Sequence, residues 1–138
     1  MNKIFFYAFF FIVCCSCSDT KDPVSELKYE CPCEKNQLTG AENLIGRWKL
    51  EKSLFLYPVA VVTDYSLQNT IYDFRANGIL IITNEGDPDS VERSYQLSED
   101  GTVLIINQSR NSCRFSDTHL EINNSYVDGP VQCLSKVL

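Results

Sequence analysis

Few residues of this chain fall in a pattern that could do chemistry, and the cysteines and the histidine are the first candidates. The sequence holds seven cysteines and one histidine, His119. Nucleophilic hydrolysis needs a serine or cysteine beside a base, and a lone histidine next to a turn is weak support for one. Asp87 and Asp89 are spaced like the start of a calcium loop, but the required glycine and later glutamate are not in place. With no glycine-rich phosphate loop either, we expect a non-enzymatic protein without metal or cofactor.

The amino-terminal residues have the pattern of a secretory signal peptide. Residues 1–3 carry one positive charge, and residues 4–13 form an unbroken apolar run. That run is too short to span a bilayer, which takes about 20 helical residues. A charged start followed by about 7–15 apolar residues is instead typical of an export signal.

The signal ends in a cysteine-rich stretch that resembles a bacterial lipobox. Ser16-Cys17 best provides the small residue that the lipoprotein signal peptidase needs before the modified cysteine, and Cys15 is the second choice. The resemblance implies a signal peptide at residues 1–16 and a lipid, such as palmitate, on Cys17. Several acyl chains, at about 0.8 kcal/mol for each buried methylene, would anchor the protein stably to a membrane. The alternative is an ordinary cleaved signal followed by free cysteines.

Residues 17–43 are polar, contain two prolines and show no sustained period, which predicts a flexible tether. Asp19 and Asp22 follow Cys17 closely, in a stretch that resembles a surface-display signal of some Gram-negative lipoproteins. An outer-membrane location is therefore expected, with the periplasmic and cell-surface faces both open. Removing residues 1–16 takes away Lys3, so the formal charge of −6 becomes −7. This acidic balance disfavours nucleic acid and anionic headgroups as partners.

Residues 44–138 are long enough for one small domain, and their first stretch predicts a strand. After Gly46, four apolar residues fall on alternate positions, with Lys52 as the exception: Trp48, Leu50, Leu54 and Leu56. A period of two puts alternate side chains on opposite faces, so these four are expected to point inward.

The rest of the domain alternates between strand-like runs and turns. Asn77-Gly78 lies between two such runs and predicts a hairpin with a type I′ turn, which needs positive φ at both central residues. Other turns are predicted at residues 84–90, 99–101, 109–111, 116–117 and 128–130. Residues 59–62 fit either a short strand or a capping loop. Seven or eight evenly spaced strands without a convincing helix indicate an all-β domain, a sandwich or a small antiparallel up-and-down β-barrel.

Four motifs support the barrel and follow the order found in one protein family: Leu44-Ile45-Gly46-Arg47-Trp48-Lys49-Leu50, Tyr72-Asp73-Phe74-Arg75-Ala76-Asn77-Gly78, Tyr95-Gln96-Leu97, and Asp128-Gly129-Pro130 with Lys136. Together they resemble the small lipocalin-like domain lipoproteins of Gram-negative bacteria, over roughly residues 44–138. The resemblance implies a lipocalin-like β-barrel in which the glycine admits a bend and the tryptophan plugs one end. Long-chain lipocalins cover that tryptophan with an arginine on the last strand, where this chain has Lys136.

Two functions follow from such a domain. The first is binding of a small hydrophobic or amphipathic ligand in the barrel. The interior of an eight-stranded barrel is just wide enough either to be filled by side chains or to hold one small ligand. The candidate lining residues, which plain core packing would equally explain, are Trp48, Leu50, Leu54, Tyr72, Phe74, Tyr95 and Leu97. The second function is a structural or interaction module of the cell envelope with a filled barrel, in contact with a partner protein through residues 57–65.

Four cysteines outside the signal region are candidates for disulfides, since exported proteins keep such bonds: Cys31, Cys33, Cys113 and Cys133. The C-x-C spacing of the first two also suggests a metal or redox site, but one histidine and no second cysteine pair favour disulfides. If residues 128–129 centre the last hairpin tightly, Cys133 faces inward, and an equally tight preceding turn directs Cys113 outward. In that register a third strand separates Cys113 from Cys133, at about 4.8 Å per strand spacing, whereas a bridge needs Cα atoms within about 7 Å. Cys113 is then expected to pair with Cys31 or Cys33 instead and so clamp the tether to the barrel wall. A one-residue slip would reverse both facings.

Overall fold

The strands of this protein form one closed sheet in a computed structural model, which describes residues 28–33, 38–56, 58–125 and 128–138. The predicted signal peptide, Cys17 and residues 18–27 lie outside the described residues. The elements are α1 (Ala41–Leu44), β1 (Gly46–Phe55), β2 (Val61–Asp64), β3 (Ile71–Phe74), β4 (Ile79–Thr83), β5 (Val91–Leu97), β6 (Val103–Ile106), β7 (Ser109–Phe115), β8 (His119–Asn123) and β9 (Val131–Lys136).

Strands β3 to β9 pair antiparallel with their neighbours in sequence order, and β1 pairs with both β3 and β9, which closes the sheet. These eight strands close an up-and-down barrel, so the predicted all-β barrel is confirmed. β2 is an additional strand that pairs with the second half of β1, from Lys52 to Phe55. Of the two interpretations of residues 59–62, the structure supports the short strand, which begins at Val61.

The barrel interior is filled at one end by large apolar side chains. The following residues are fully buried: Trp48, Phe74, Leu80, Leu104, Phe115, Leu120 and Leu134. Burying each such side chain contributes roughly 1.5–3 kcal/mol, which makes this cluster the main source of stability. Leu44 of α1 belongs to the same cluster and Leu38 packs against it, so the chain just before β1 covers this end of the barrel.

A β-bulge in β1 changes which residues face the interior. The register of β1 against β9 shifts between Leu50 and Lys52, and beyond it Ser53 pairs with Gln132. A bulge inserts one extra residue, so the in–out alternation continues in the opposite phase. Ser53 is therefore buried, while Leu56 is 52% exposed. The prediction that Leu54 and Leu56 continue the inward face is wrong, and Lys52, the exception in the pattern, marks the bulge.

The turn between β3 and β4 differs in type from the prediction. Asn77-Gly78 does connect β3 and β4, but only Gly78 has a positive φ, of 77°. The Gly78 N–H donates to the Arg75 carbonyl, which makes a type I turn followed by a left-handed glycine rather than a type I′ turn.

The true two-residue turn lies between β6 and β7. Ile106 pairs with Ser109, and the two residues between them, Asn107 and Gln108, have φ values of 47° and 73°. Positive φ at both positions is the signature of a type I′ turn. The turn predicted at residues 109–111 is therefore wrong by two residues, because neither Asn107 nor Gln108 is followed by the glycine that signals such turns in sequence.

The last two hairpins have a different register from the one predicted. Leu120 pairs with Leu134, and Cys113 pairs with Ile122. Since directly opposed residues of an antiparallel pair share a face, Cys113 points into the core and Cys133 points outward. Both predicted facings are reversed. Phe115 pairs with Leu120 and Asn123 with Val131, so both connections are longer than the tight turns predicted at residues 116–117 and 128–129.

Candidate functional site

A disulfide joins the described part of the tether to the outer wall of the barrel. Cys31 is bonded to Cys133 of β9, with Cα atoms 5.5 Å apart. Cys33 and Cys113 are free and buried. The predicted clamp of the tether on the wall is present, but its partner on the barrel is Cys133; the predicted bond to Cys113 is wrong. Cys113 lies in the core instead, where its Sγ is 3.4 Å from the Gly101 carbonyl oxygen.

Next to this disulfide lies a buried carboxylate, Glu121, which no pattern in the sequence predicted to be buried. Glu121 is 7% exposed, and the Arg114 Nη2 donates to its Oε1 at 2.7 Å. The Tyr29 hydroxyl, from the tether, lies 3.5 Å from the other carboxylate oxygen. Burial first, and then the Glu121 charge, raises the pKa of the Cys33 thiol to about 11. No motif marks Glu121, because a charged residue in a strand normally indicates the solvent face.

The tether and the barrel wall enclose a cleft in which several polar side chains meet. Its barrel side includes Glu51, Arg114, His119 and Ser135. His119 lies opposite Ser135 on the neighbouring strand. However, the Ser135 hydroxyl donates to Glu51 at 2.7 Å, and the His119 Nδ1 is 2.9 Å from the Thr118 hydroxyl. The Ser135 hydroxyl is therefore directed at the Glu51 carboxylate and not at His119.

Most of the residues predicted to line a ligand site lie inside the barrel but pack against one another. Six of the seven belong to the core cluster or contact it directly: Trp48, Leu50, Tyr72, Phe74, Tyr95 and Leu97. The rings of Phe74 and Tyr95 meet edge to face with centroids 5.0 Å apart. Leu54, beyond the bulge, is outside this cluster and pairs with Val62 and Val131. The structure thus brings together six of these residues and separates the seventh.

The other end of the barrel interior is polar. Gln132 Nε2 donates to the Tyr72 hydroxyl at 3.1 Å, and Ser53 lies opposite Gln132. The Ser53 hydroxyl is buried and has no hydrogen-bond partner among the described residues. Sequence reasoning missed Ser53 and Gln132, because the bulge that turns Ser53 inward is not apparent from the alternation.

Trp48 occupies the position expected of a plug at the end of the barrel. Its Nε1 donates to the Leu44 carbonyl at 2.9 Å. The Lys136 ammonium lies 4.9 Å from the centre of the indole ring, close enough for a cation–π interaction, and is 3.3 Å from the Asn43 carbonyl oxygen. Lys136 therefore covers the tryptophan from the last strand.

The connection between β1 and β2 exposes apolar side chains. Phe55 and Val61, which face each other across the two strands, are 40% and 51% exposed, and Val59 is 69% exposed. β2 stands at one end of the strand order, with only β1 as its neighbour among the described strands. Its second edge is therefore without a described strand partner.

The described residues contain no group of three or more metal-binding side chains, and Asp87 instead accepts the Asp89 backbone N–H within an exposed loop. Within those same ranges, no helix has the length and apolar character needed to cross a membrane.

The fold and these contacts define a small eight-stranded antiparallel β-barrel with a disulfide-fastened amino-terminal segment and an additional edge strand. Comparison with known proteins adds no identification, because no family model, no curated protein and no solved structure matches the chain.

Proposed function

We propose that this protein is a lipocalin-like lipoprotein of the outer membrane, anchored through Cys17, that acts as a non-enzymatic interaction module. In this proposal the filled barrel is a rigid support, and an envelope protein contacts the apolar surface formed by β2 and the residues just before it. The lipobox-like sequence supports the anchor, and Lys136 over Trp48 supports the lipocalin-like assignment.

The observation that carries the proposal is the combination of exposed apolar side chains with a strand edge that has no strand partner among the described residues. An unpaired strand presents backbone N–H and C=O groups to any extended segment that approaches it, and natural proteins usually guard such edges with charges, bulges or prolines. β2 reads Val61-Val62-Thr63-Asp64, so only its last residue is charged. We therefore propose an extended apolar segment of an envelope protein as the partner, which would add a strand to β2.

A site-specific photo-crosslinker at Val61 tests this directly in intact envelopes. We expect a discrete adduct with one envelope protein, and an identical crosslinker at Gln96, an exposed residue of β5, should give none. Introducing a Val62→Pro substitution, which disturbs the strand, should reduce the Val61 adduct at least tenfold. An adduct at both positions, or one that contains only a second copy of this chain, would contradict the proposed partner.

The ligand-binding alternative is distinguishable because Trp48 is the only tryptophan. A ligand inside the barrel would lie near its ring and quench its fluorescence. Since the interior side chains pack against one another, we expect a lipophilic dye at micromolar concentrations to leave Trp48 emission unchanged. Saturable quenching that disappears in a Tyr72→Ala variant would instead favour a small ligand, for which the unpartnered Ser53 hydroxyl provides a polar contact.

The proposed anchor has its own test. Radioactive palmitate should label the wild-type protein and the Cys15→Ala variant, whereas Cys17→Ala should be unlabelled or remain an uncleaved precursor. Label that persists in Cys17→Ala and is lost in Cys15→Ala would move the site by two residues, and label absent from the wild type would refute the anchor.

A further inference from the structure

Three sulfur atoms meet where the tether is fastened to the barrel. Cys31 is bonded to Cys133, and the Cys33 Sγ lies 3.6 Å from the Cys31 Sγ. The Cys33 N–H donates to the Cys31 carbonyl at 2.8 Å, which closes a three-residue turn around Pro32. Proline fixes φ near the value that an inverse γ-turn requires at its centre, so the sequence Cys-Pro-Cys itself brings the two sulfurs together.

We propose that these residues form a thiol–disulfide exchange site, in which Cys33 is an internal nucleophile toward the Cys31–Cys133 bond. The Cys33 thiolate attacks the Cys31 Sγ, a Cys31–Cys33 bond forms, and the Cys31–Cys133 bond breaks. The electron pair of the broken bond leaves on the Cys133 Sγ, which takes up a proton in place of the one that Cys33 lost. One disulfide replaces another, so the step needs no oxidant or reductant.

The exchange changes how the tether is held. Before it, the Cys31–Cys133 bond spans 102 residues and fastens the tether to β9. After it, the new bond lies entirely within the tether, which is then joined to the barrel wall only by non-covalent contacts such as Tyr29 with Glu121. The Cys133 sulfur becomes a free thiol on the wall of the cleft that Cys133 helps to line.

The surroundings of Cys33 restrain this reaction at neutral pH. Burial and the Glu121 carboxylate disfavour the Cys33 thiolate, whereas the Arg114 guanidinium favours it. The Tyr29 hydroxyl is a further titratable group beside Glu121 and Cys33. Only the thiolate is nucleophilic. As long as the pH is below the pKa of Cys33, the exchange rate should therefore increase about tenfold for each unit by which the pH is raised.

The test follows the position of a label at different pH values. The purified mature protein is incubated anaerobically at pH 7, 8, 9 and 10, acidified, denatured and treated with N-ethylmaleimide, and the labelled peptides are mapped by mass spectrometry. In the resting protein the label should lie on Cys33 and Cys113, the two free cysteines of the described chain. With time and rising pH it should move from Cys33 to Cys133, with an initial rate about tenfold higher per unit.

Cys113 serves as an internal reference, because it is also a buried free thiol but contacts a carbonyl rather than a disulfide. Its labelling should remain constant, and Cys113→Ser should exchange like the wild type. Cys33→Ser, or Cys33→Ala if that variant does not fold, should show at least tenfold less label on Cys133.

Equal Cys133 labelling in the wild type and in the Cys33 variant would overturn the proposal. Loss of label from Cys113 would overturn it as well, since that result indicates exchange through unfolding. The wild-type pH series decides the matter even if both Cys33 variants misfold, because Cys133 labelling that stays at its starting level up to pH 10 refutes the exchange.

Discussion

At the scale of single residues, the barrel depends on positions whose role is set by backbone conformation or by a buried charge. Gly46 begins β1 with a φ of +130°, a conformation that residues with a Cβ rarely adopt. It precedes Trp48, the buried tryptophan, by two residues. Glu121 is the contrasting case, a buried charge whose tolerance depends on its neighbours.

Gly46→Ala should lower the free energy of unfolding by about 1–3 kcal/mol, the usual cost of a strained backbone position. An added Cβ would meet only the Lys136 Cε, at an unstrained 3.7 Å, so the effect is conformational rather than steric. Urea unfolding followed by Trp48 fluorescence measures it. Arg47→Ala, at the exposed next position, should change stability by less than about 0.5 kcal/mol; equal effects of the two substitutions would contradict this account.

Arg114→Ala should destabilise the protein by about 2–3 kcal/mol, because it removes the guanidinium that lies 2.7 Å from the buried Glu121 carboxylate. Adding Glu121→Gln to that variant should recover part of the loss, since a neutral amide no longer needs a cationic partner. Chemical denaturation of the two single variants and the double variant completes the cycle. Additive losses would show that the two side chains are not coupled.

At the scale of elements, the turns and the bulge decide how each strand presents its residues. The Gly78 turn and the Asn107-Gln108 turn both connect neighbouring strands, but they do so with different backbone geometries. The bulge in β1 places Ser53 rather than Leu54 on the inner face, and β9 pairs with β1 both before and after it.

Gln108→Gly should stabilise the protein by about 0.5–1 kcal/mol. Gln108 has a φ of 73°, where glycine is free of the steric cost that other residues bear. Thermal and urea unfolding would show the gain. The matched control is Ala76→Gly in the β3–β4 turn, a position without positive φ, where glycine should be neutral or destabilising. A loss of stability in Gln108→Gly would argue against the type I′ geometry.

At the scale of the whole molecule, a disulfide joins the tether to the barrel wall, and two further cysteines of the described chain are buried as free thiols. The Cys31–Cys133 bond closes most of the described chain into one loop, which restricts the unfolded state and typically contributes about 2–4 kcal/mol. Cys113 lies in the core on β7, and burial raises the pKa of its thiol to about 12.

Stability should therefore fall at alkaline pH. The unfolded thiols ionise near their ordinary pKa of 9, whereas folded Cys33 and Cys113 hold their protons to about 11 and 12. The folded state thus binds more protons above pH 9, and the stabilisation present below that pH is lost as the pH rises through the folded values. Each thiol contributes a slope of up to about 1.4 kcal/mol per pH unit.

Urea midpoints at pH 7, 9 and 10 measure this slope. Cys113→Ala should flatten it, even if the substitution lowers stability at neutral pH by leaving a small cavity. An unchanged slope in that variant would mean that Cys113 does not hold its proton in the folded state.

The amino-acid sequence by itself determined the class of fold and the residues at the barrel end. Period-two alternation with turn residues between strands is a local signal, so it predicted an all-β domain, the hairpin at Asn77-Gly78 and an inward-facing Trp48. It left a sandwich and an up-and-down barrel both open, and the resemblance to lipocalin-like domains favoured the barrel. The same resemblance implied a bend at Gly46, where the structure has a φ of +130°.

Only the tertiary structure decided which side chains share a face near the sulfur cluster. A register offset of an odd number of residues reverses the facing of every side chain on a strand, and the lengths of the loops before β8 and β9 are not readable from composition. Cys133 therefore faces the tether and Cys113 the core, which set the disulfide partner of Cys31. Glu121 is buried for a related reason, because the tether covers the outer wall there, a contact between residues 92 positions apart along the chain.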